Sequence, residues 1–141
     1  MTDTEYSAQV IDHFTSPRNP GSLSDASGRG EAGDGKSGEI LIQISLRATG
    51  DLIEEARFRA FGCSATIASA SVTTELLRGC SLREAALLSP EEIESALGGL
   101  PESRRYCAEY AARAARAAAE DGLRSASHTS DTGESSSERL A

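Results

Sequence analysis

Two cysteines stand where the backbone could favour the thiolate form. Cys63 follows the extended segment "FRAFG" and precedes a run of small residues that starts at Ser64, a pattern typical of a strand followed by a helix. Cys107 lies near the start of the last predicted helix, just after Arg104 and Arg105. The amides and dipole of a helix N terminus stabilise a thiolate, as do nearby cations. Thiolate is the form that binds metal or attacks sulfur.

The same positions would also suit thiols that only fill the core. Free cysteine is among the most buried residue types, and a strand–helix corner needs a small side chain. If the helix starts at Cys63 and Cys107 meet at one edge of the sheet, the thiols form a metal or sulfur site. If they do not meet, they are two unrelated core residues. We interpret Cys80, just past a helix end, as structural or incidental, because the dipole disfavours a thiolate there.

The segments around these cysteines predict a single α+β domain. A short helix ends at Pro17, and the segments "EILIQISLRATG" and "LIEEARFRAFG" predict an antiparallel hairpin, the first from its alternating Ile and Leu residues. Helices are then predicted from Ser64, after the cap residues Ser81 and Ser89, and over roughly 102–120. We therefore expect a small antiparallel β-sheet with helices packed on one face.

Two segments carry no regular hydrophobic pattern. Residues 21–38 are rich in Gly, Ser and Asp and are predicted to form a long loop. Residues 123–141 are rich in Ser, Thr and Asp with almost no apolar side chain, which predicts a disordered tail. The folded domain is accordingly expected to comprise residues 1–122.

Composition excludes several classes of function. The formal net charge is −8, which argues against nucleic-acid binding because a phosphate-binding surface needs clustered Lys and Arg. No apolar run has the length that spans a bilayer, and the N terminus has neither a basic region nor an apolar region typical of secretion. Three cysteines form no disulfide framework. We therefore expect a reducing, cytoplasmic location without membrane attachment.

Several segments together resemble the NifU/IscU-type iron–sulfur cluster assembly scaffolds, the family of NifU N-terminal domains. The resemblance is collinear over residues 6–122 and is carried by "YSAQVIDHFTSPRNPGSL", "SGEILIQISL", "IEEARFRAFGCSATIASASVTTELLRGCSLREA" and "LPESRRYCAEYAARAA". It implies the same α+β fold and a protein that is not an enzyme. Such scaffolds assemble a [2Fe–2S] cluster from iron and from sulfur passed by a cysteine desulfurase, and transfer it to acceptor apo-proteins.

The resemblance also implies a ligand set, and this chain departs from it. The family's second and third cysteines match Cys63 and Cys107. Its first cysteine is replaced by Ser37, the aspartate two residues later by Glu39, and the histidine before the third cysteine by Tyr106. The expected ligands are therefore the two cysteines and Glu39, with Ser37 or Tyr106 as a weak fourth.

The replacements weaken the site, because iron–sulfur clusters are held chiefly by soft thiolates. A serine hydroxyl must lose a proton of very high pKa, and a tyrosine phenol has a pKa near 10. A site with two thiolates could still hold a cluster shared between two chains of a homodimer, or bind one Fe²⁺ or Zn²⁺ with water.

Two alternatives to a cluster-building scaffold stay open. One is a degenerate paralogue that keeps the fold and its binding surfaces but no longer builds clusters. It would act as an interaction or regulatory partner of a cysteine desulfurase or of a true scaffold. The other is a simple zinc-binding domain.

Overall fold

The structure, a computed structural model, describes residues 6–34 and 38–133, with side chains as far as residue 125. Its elements in chain order are α1 (Ala8–Thr15), β1 (Gly28–Gly33), β2 (Leu41–Thr49), β3 (Leu52–Phe61), α2 (Ser64–Leu77), α3 (Leu82–Ala85), α4 (Pro90–Ala96), a 3-10 turn (Glu102–Arg104) and α5 (Arg105–Gly133).

The three strands form one antiparallel sheet in the order β1-β2-β3. Ile42, Ile44 and Leu46 on β2 are fully or almost fully buried, whereas Gln43 between them is exposed, as their alternation predicts. Helix α5 packs against β1 and β2, and α2 packs against β3 and α5. The predicted α+β fold, with helices on one face of a small antiparallel sheet, is confirmed.

Strand β1 corrects the prediction of a long loop over residues 21–38. The glycine content of this segment predicts a loop. In the structure, the glycines are needed because α5 crosses the strand at close range. A Cβ added at Gly28 or Gly30 would overlap the backbone of Ala118 on α5. Hydrophobic periodicity could not reveal this strand, since two of its inward positions are glycines and the third is the small Ala32.

The starts of the two short helices follow their capping residues. Ser81 and Glu84 form a reciprocal capping box at α3, and Ser89 and Glu92 form a second one at α4, with Pro90 in the first turn. These local hydrogen bonds satisfy amides that a helix N terminus would otherwise leave unpaired. Both predicted starts are confirmed.

Helix α5 is longer than predicted. It ends at Gly133 rather than near Glu120, so the backbone is helical across the boundary expected between residues 122 and 123. Leu123 is half-buried against the core, which gives the helix an apolar anchor beyond that boundary. Residues 134–141 of the predicted tail lie outside the described residues. Within the part of the chain that the structure describes, no helix is long and apolar enough to cross a membrane.

Candidate metal and sulfur site

The backbone around Cys63 forms a tight corner between strand and helix. β3 ends at Phe61, Cys63 is the N-cap residue, and α2 begins one residue later, as predicted. Gly62 between them has φ +152°, and a Cβ there would lie 2.7 Å from the hydroxyl oxygen of Thr66. Glycine is therefore required at position 62, both for the turn and for the room that the first turn of α2 occupies.

Cys107 reaches the same corner from α5. It lies in the first turn of that helix, directly after the 3-10 turn, and its side chain is fully buried. Ile40 and Ala65 pack with it, and the half-exposed Cys63 lies against this cluster. Both cysteines thus lie at helix starts, and these two helix starts meet at one edge of the sheet, as a shared site requires.

The separation of the two sulfurs suits metal binding. Their Sγ atoms are 3.9 Å apart, and both cysteines are free thiols. A disulfide would need roughly 2.05 Å. Two metal–thiolate bonds of about 2.3 Å at a tetrahedral angle place their sulfurs about 3.8 Å apart. The observed spacing, which is that of a hydrogen bond between the sulfurs, would therefore let both thiolates bind one tetrahedral ion with little movement.

Thr66 completes a triangle with the sulfurs. Its position three residues after Cys63 is the one feature of the sequence that could have singled it out. Its hydroxyl oxygen lies 3.5 Å from Cys63 Sγ and 3.4 Å from Cys107 Sγ. The side chain is 1% exposed. A hydrogen-bonding group thus closes the interior side of the sulfur pair.

The two thiols hold one proton between them at neutral pH. A hydrogen bond from the Cys107 thiol lowers the pKa of Cys63 to about 4; burial opposes this, and the Thr66 hydroxyl and the amides of Thr66 and Ala65 assist it. The same hydrogen bond, together with burial, raises the pKa of Cys107 well above its usual value. The half-exposed sulfur is therefore the thiolate, and the buried one keeps its proton.

Of the two arginines expected to favour thiolate, only Arg104 faces the site. Its pKa is raised by a hydrogen bond with Tyr6 and, to a smaller extent, by the negative charge at Cys63. Its Nε atom is shielded from solvent and has no hydrogen-bond partner among the described residues. Arg105 instead pairs with Glu94, at 3.1 Å. The positive charge beside the thiolate therefore comes from Arg104.

The structure does not group Glu39 with the two cysteines. In residues 6–34 and 38–133, no set of three or more His, Cys, Asp or Glu side chains is arranged to hold a metal. Glu39 is exposed and immediately precedes Ile40, which packs on Cys107. Continuing the pairing of Leu41 with Phe61 would bring residue 39 opposite residue 63. Glu39 itself lies two residues before the first residue of β2, and Ser37 lies outside the described residues.

Tyr106 is not poised to bind metal as a phenolate. Its side chain is 43% exposed, and its ring meets that of Tyr110 edge-on, with centroids 6.2 Å apart. Burial, followed by the negative charges of Cys107 and Cys63, raises its pKa. In the metal-free protein, Tyr106 therefore keeps its proton near neutral pH.

Two further side chains of types that bind metal, Cys80 and His13, have other partners. Cys80 lies beyond the opposite end of α2, about 21 Å of helix from Cys63, and its thiol donates to the Leu76 carbonyl at 3.1 Å. His13 is buried, and its Nδ1 lies 2.7 Å from Ser71 Oγ. His13 therefore joins α1 to α2, and neither residue belongs to the site.

The amino-acid sequence was compared with known protein families and with known proteins, and it matches one family. Residues 5–127 match the family described as the NifU-like N terminal domain. The iron-sulfur cluster assembly scaffold protein IscU 1 of Archaeoglobus fulgidus is 40% identical over 119 residues, which cover 84% of this chain and 77% of that protein. The mitochondrial iron sulfur cluster assembly protein 2 of Saccharomyces cerevisiae is 39% identical over 120 residues, covering 82% and 76%.

A solved structure shows the same fold. The crystal structure of the N-terminal part of a nitrogen-fixing NifU-like protein from Brucella abortus superposes with a TM-score of 0.59 at 18% identity, covering 89% of this chain and 96% of that one. At that level of identity the likeness concerns the fold alone.

Proposed function

Because the chain belongs to the family of NifU-like N-terminal domains, we propose that it is a scaffold on which an iron–sulfur cluster is assembled and from which the cluster passes to acceptor apo-proteins. The cluster is cargo in this proposal, so the chain acts by binding and release. Its relatives are named as scaffold and assembly proteins. We propose a cysteine desulfurase as the source of sulfur.

The observation that carries the proposal is the 3.9 Å separation of the Cys63 and Cys107 sulfurs. This spacing needs little adjustment for both thiolates to bind one iron. Soft thiolates are also the ligands that iron in such clusters prefers.

The charge state of the pair supports the same conclusion. Cys63 is ready to bind at neutral pH, with its pKa lowered to about 4, whereas Cys107 must give up a proton. Metal binding should therefore release about one proton from this pair per site. A ligand that has to be deprotonated holds cargo less firmly than a preformed thiolate, which suits a protein that must release its cluster.

Two thiolates do not complete a [2Fe–2S] site, which needs four protein ligands. We propose that the two remaining ligands are either Glu39 with Ser37 or Tyr106 as a weak fourth ligand, or the two cysteines of a second chain. These arrangements differ in stoichiometry. A cluster shared by two chains gives one iron and one sulfide per chain, and a cluster held by one chain gives two of each.

Anaerobic reconstitution tests the proposal. The protein is incubated with Fe²⁺, cysteine, a cysteine desulfurase and dithiothreitol, which reduces the transferred sulfur to sulfide, and iron, acid-labile sulfide and visible absorption are measured per chain. We expect a coloured protein, loss of the colour in Cys63→Ala and Cys107→Ala, and retention in the matched variant Cys80→Ala. The apparent mass of the loaded protein then distinguishes the shared cluster from the single-chain cluster.

The alternatives predict different outcomes of the same experiment. A wild-type protein that stays colourless but captures the desulfurase, equally well with and without its two site cysteines, would be a degenerate paralogue acting as an interaction partner. A colourless protein that is purified with stoichiometric zinc bound through these cysteines would be a zinc-binding domain. The cytoplasmic location remains a prediction, consistent with the need to keep these thiols reduced.

A further inference from the structure

We propose that Thr66 is a positioning residue of the site, whose hydroxyl fixes the two sulfurs for binding and tunes them by hydrogen bonding. The proposal rests on the scaffold function above, because it assigns Thr66 a role towards the metal that Cys63 and Cys107 bind. It starts from the triangle in which Thr66 Oγ1 lies 3.5 and 3.4 Å from the two Sγ atoms.

The hydroxyl of Thr66 is used differently from those of other threonines on α2. Helical threonines commonly bond a carbonyl of the preceding turn. Thr73 does so with Ser69, at 2.6 Å, and Thr74 does so with Ser71, at 2.7 Å. Among the described residues, the hydrogen-bonding contacts of the Thr66 hydroxyl are the two sulfurs.

The backbone preserves the position of this hydroxyl. Gly62 has no side chain, and a Cβ added there would lie 2.7 Å from Thr66 Oγ1. Thr66 is 1% exposed, and its β-branched side chain has few rotamers in a helix. The oxygen is therefore held in place before any metal arrives.

This geometry also limits the side of the sulfur pair on which a metal can bind. An ion about 2.3 Å from both sulfurs on the side of the hydroxyl would overlap Oγ1. The metal must therefore approach from the other side of the sulfur pair. Once both thiols are deprotonated, the hydroxyl can donate its single proton to either thiolate from the interior. Partners of this kind typically change metal affinity roughly 10- to 100-fold.

The test uses the metal-free full chain and Co²⁺ as a probe, with Thr66→Val and Thr66→Ser. Thr66→Val keeps the shape but removes the donor, and we expect its Co²⁺ dissociation constant to rise roughly 10-fold or more. Its sulfur-to-cobalt charge-transfer band should move to lower energy, since a thiolate without the hydrogen bond gives up electrons more readily. Thr66→Ser should restore both properties. Thr73→Val, which removes another buried hydroxyl from the same helix, should match the wild type.

A metal-free measurement accompanies the titration. The ¹³Cβ chemical shifts of Cys63 and Cys107 should change in Thr66→Val and stay unchanged in Thr73→Val. If Thr66→Val does not fold, the comparison of Thr66→Ala with Thr66→Ser provides the same contrast. Wild-type affinity, charge-transfer energy and cysteine shifts in Thr66→Val would overturn the proposal. A clear effect of Thr66→Val in a protein that never builds a cluster would instead overturn the scaffold function and leave the role of Thr66 in place.

Discussion

Replacing Cys107 by alanine should raise the pKa of Cys63. In the wild type, the hydrogen bond from the Cys107 thiol is the largest of the causes that bring the pKa of Cys63 to about 4. Thr66 and the first amides of α2 remain in the variant and still favour the thiolate. The pKa should therefore move only part of the way back towards the ordinary cysteine value of about 8.5.

The size of the change follows from the strength of the lost hydrogen bond. A hydrogen bond to a charged group contributes roughly 1.5–3 kcal/mol. One pKa unit corresponds to about 1.4 kcal/mol, so the pKa of Cys63 should rise by about 1–2 units. The variant Cys107→Ser keeps a donor at the same place and should show a smaller rise.

The assay is the rate of iodoacetamide alkylation at Cys63 between pH 3.5 and 9, quantified by mass spectrometry in a Cys80→Ala background. Intrinsic nucleophilicity falls as the pKa of a thiol falls. Below the inflection of the variant, the wild-type thiol should therefore react faster, and at high pH the Cys107→Ala variant should react faster. The two pH profiles should cross.

Two results would refute this reasoning. One is an inflection for Cys63 near pH 8.5 in the background protein, which would mean that no thiolate is held at this corner. The other is an unchanged inflection in Cys107→Ala, which would mean that the second thiol does not stabilise the first. Circular dichroism at each pH must show that the fold persists across the range.

Two further predictions concern the fold. Gly30→Ala should reduce the free energy of unfolding by about 1–3 kcal/mol in a denaturant titration, because its Cβ would overlap the Ala118 backbone. Glu31→Ala, on the other face of β1, should change the free energy of unfolding by less than about 0.5 kcal/mol. Equal effects of the two substitutions would contradict the close approach of α5. The pKa of His13 is lowered from 6.5, chiefly by burial, so the unfolded chain binds the proton more readily and stability should fall as the pH drops below 6.5. In His13→Asn this part of the decline in melting temperature should disappear; the same decline as in the wild type would show that His13 does not cause it.

The two thiols illustrate what the tertiary structure adds to a local prediction. The strand–helix corner at Cys63 and the helix start near Cys107 are local features, since each depends on a few neighbouring residues. Which of the two sulfurs carries the negative charge depends on burial and on their mutual hydrogen bond. Those quantities exist only after α2 and α5 have packed together.

By itself, the sequence determined the class of fold, the hairpin and the capped helices. It also determined the family, through motifs that include the two cysteines. These features are encoded in short-range periodicity, in capping residues and in motifs, which are present in the unfolded chain. Only the tertiary structure decided that the glycine-rich segment is a strand and that the Thr66 hydroxyl contacts both sulfurs. Both depend on the approach of α5 to residues far away in the chain, and the spacing of residues along a sequence does not record the distance between two packed elements.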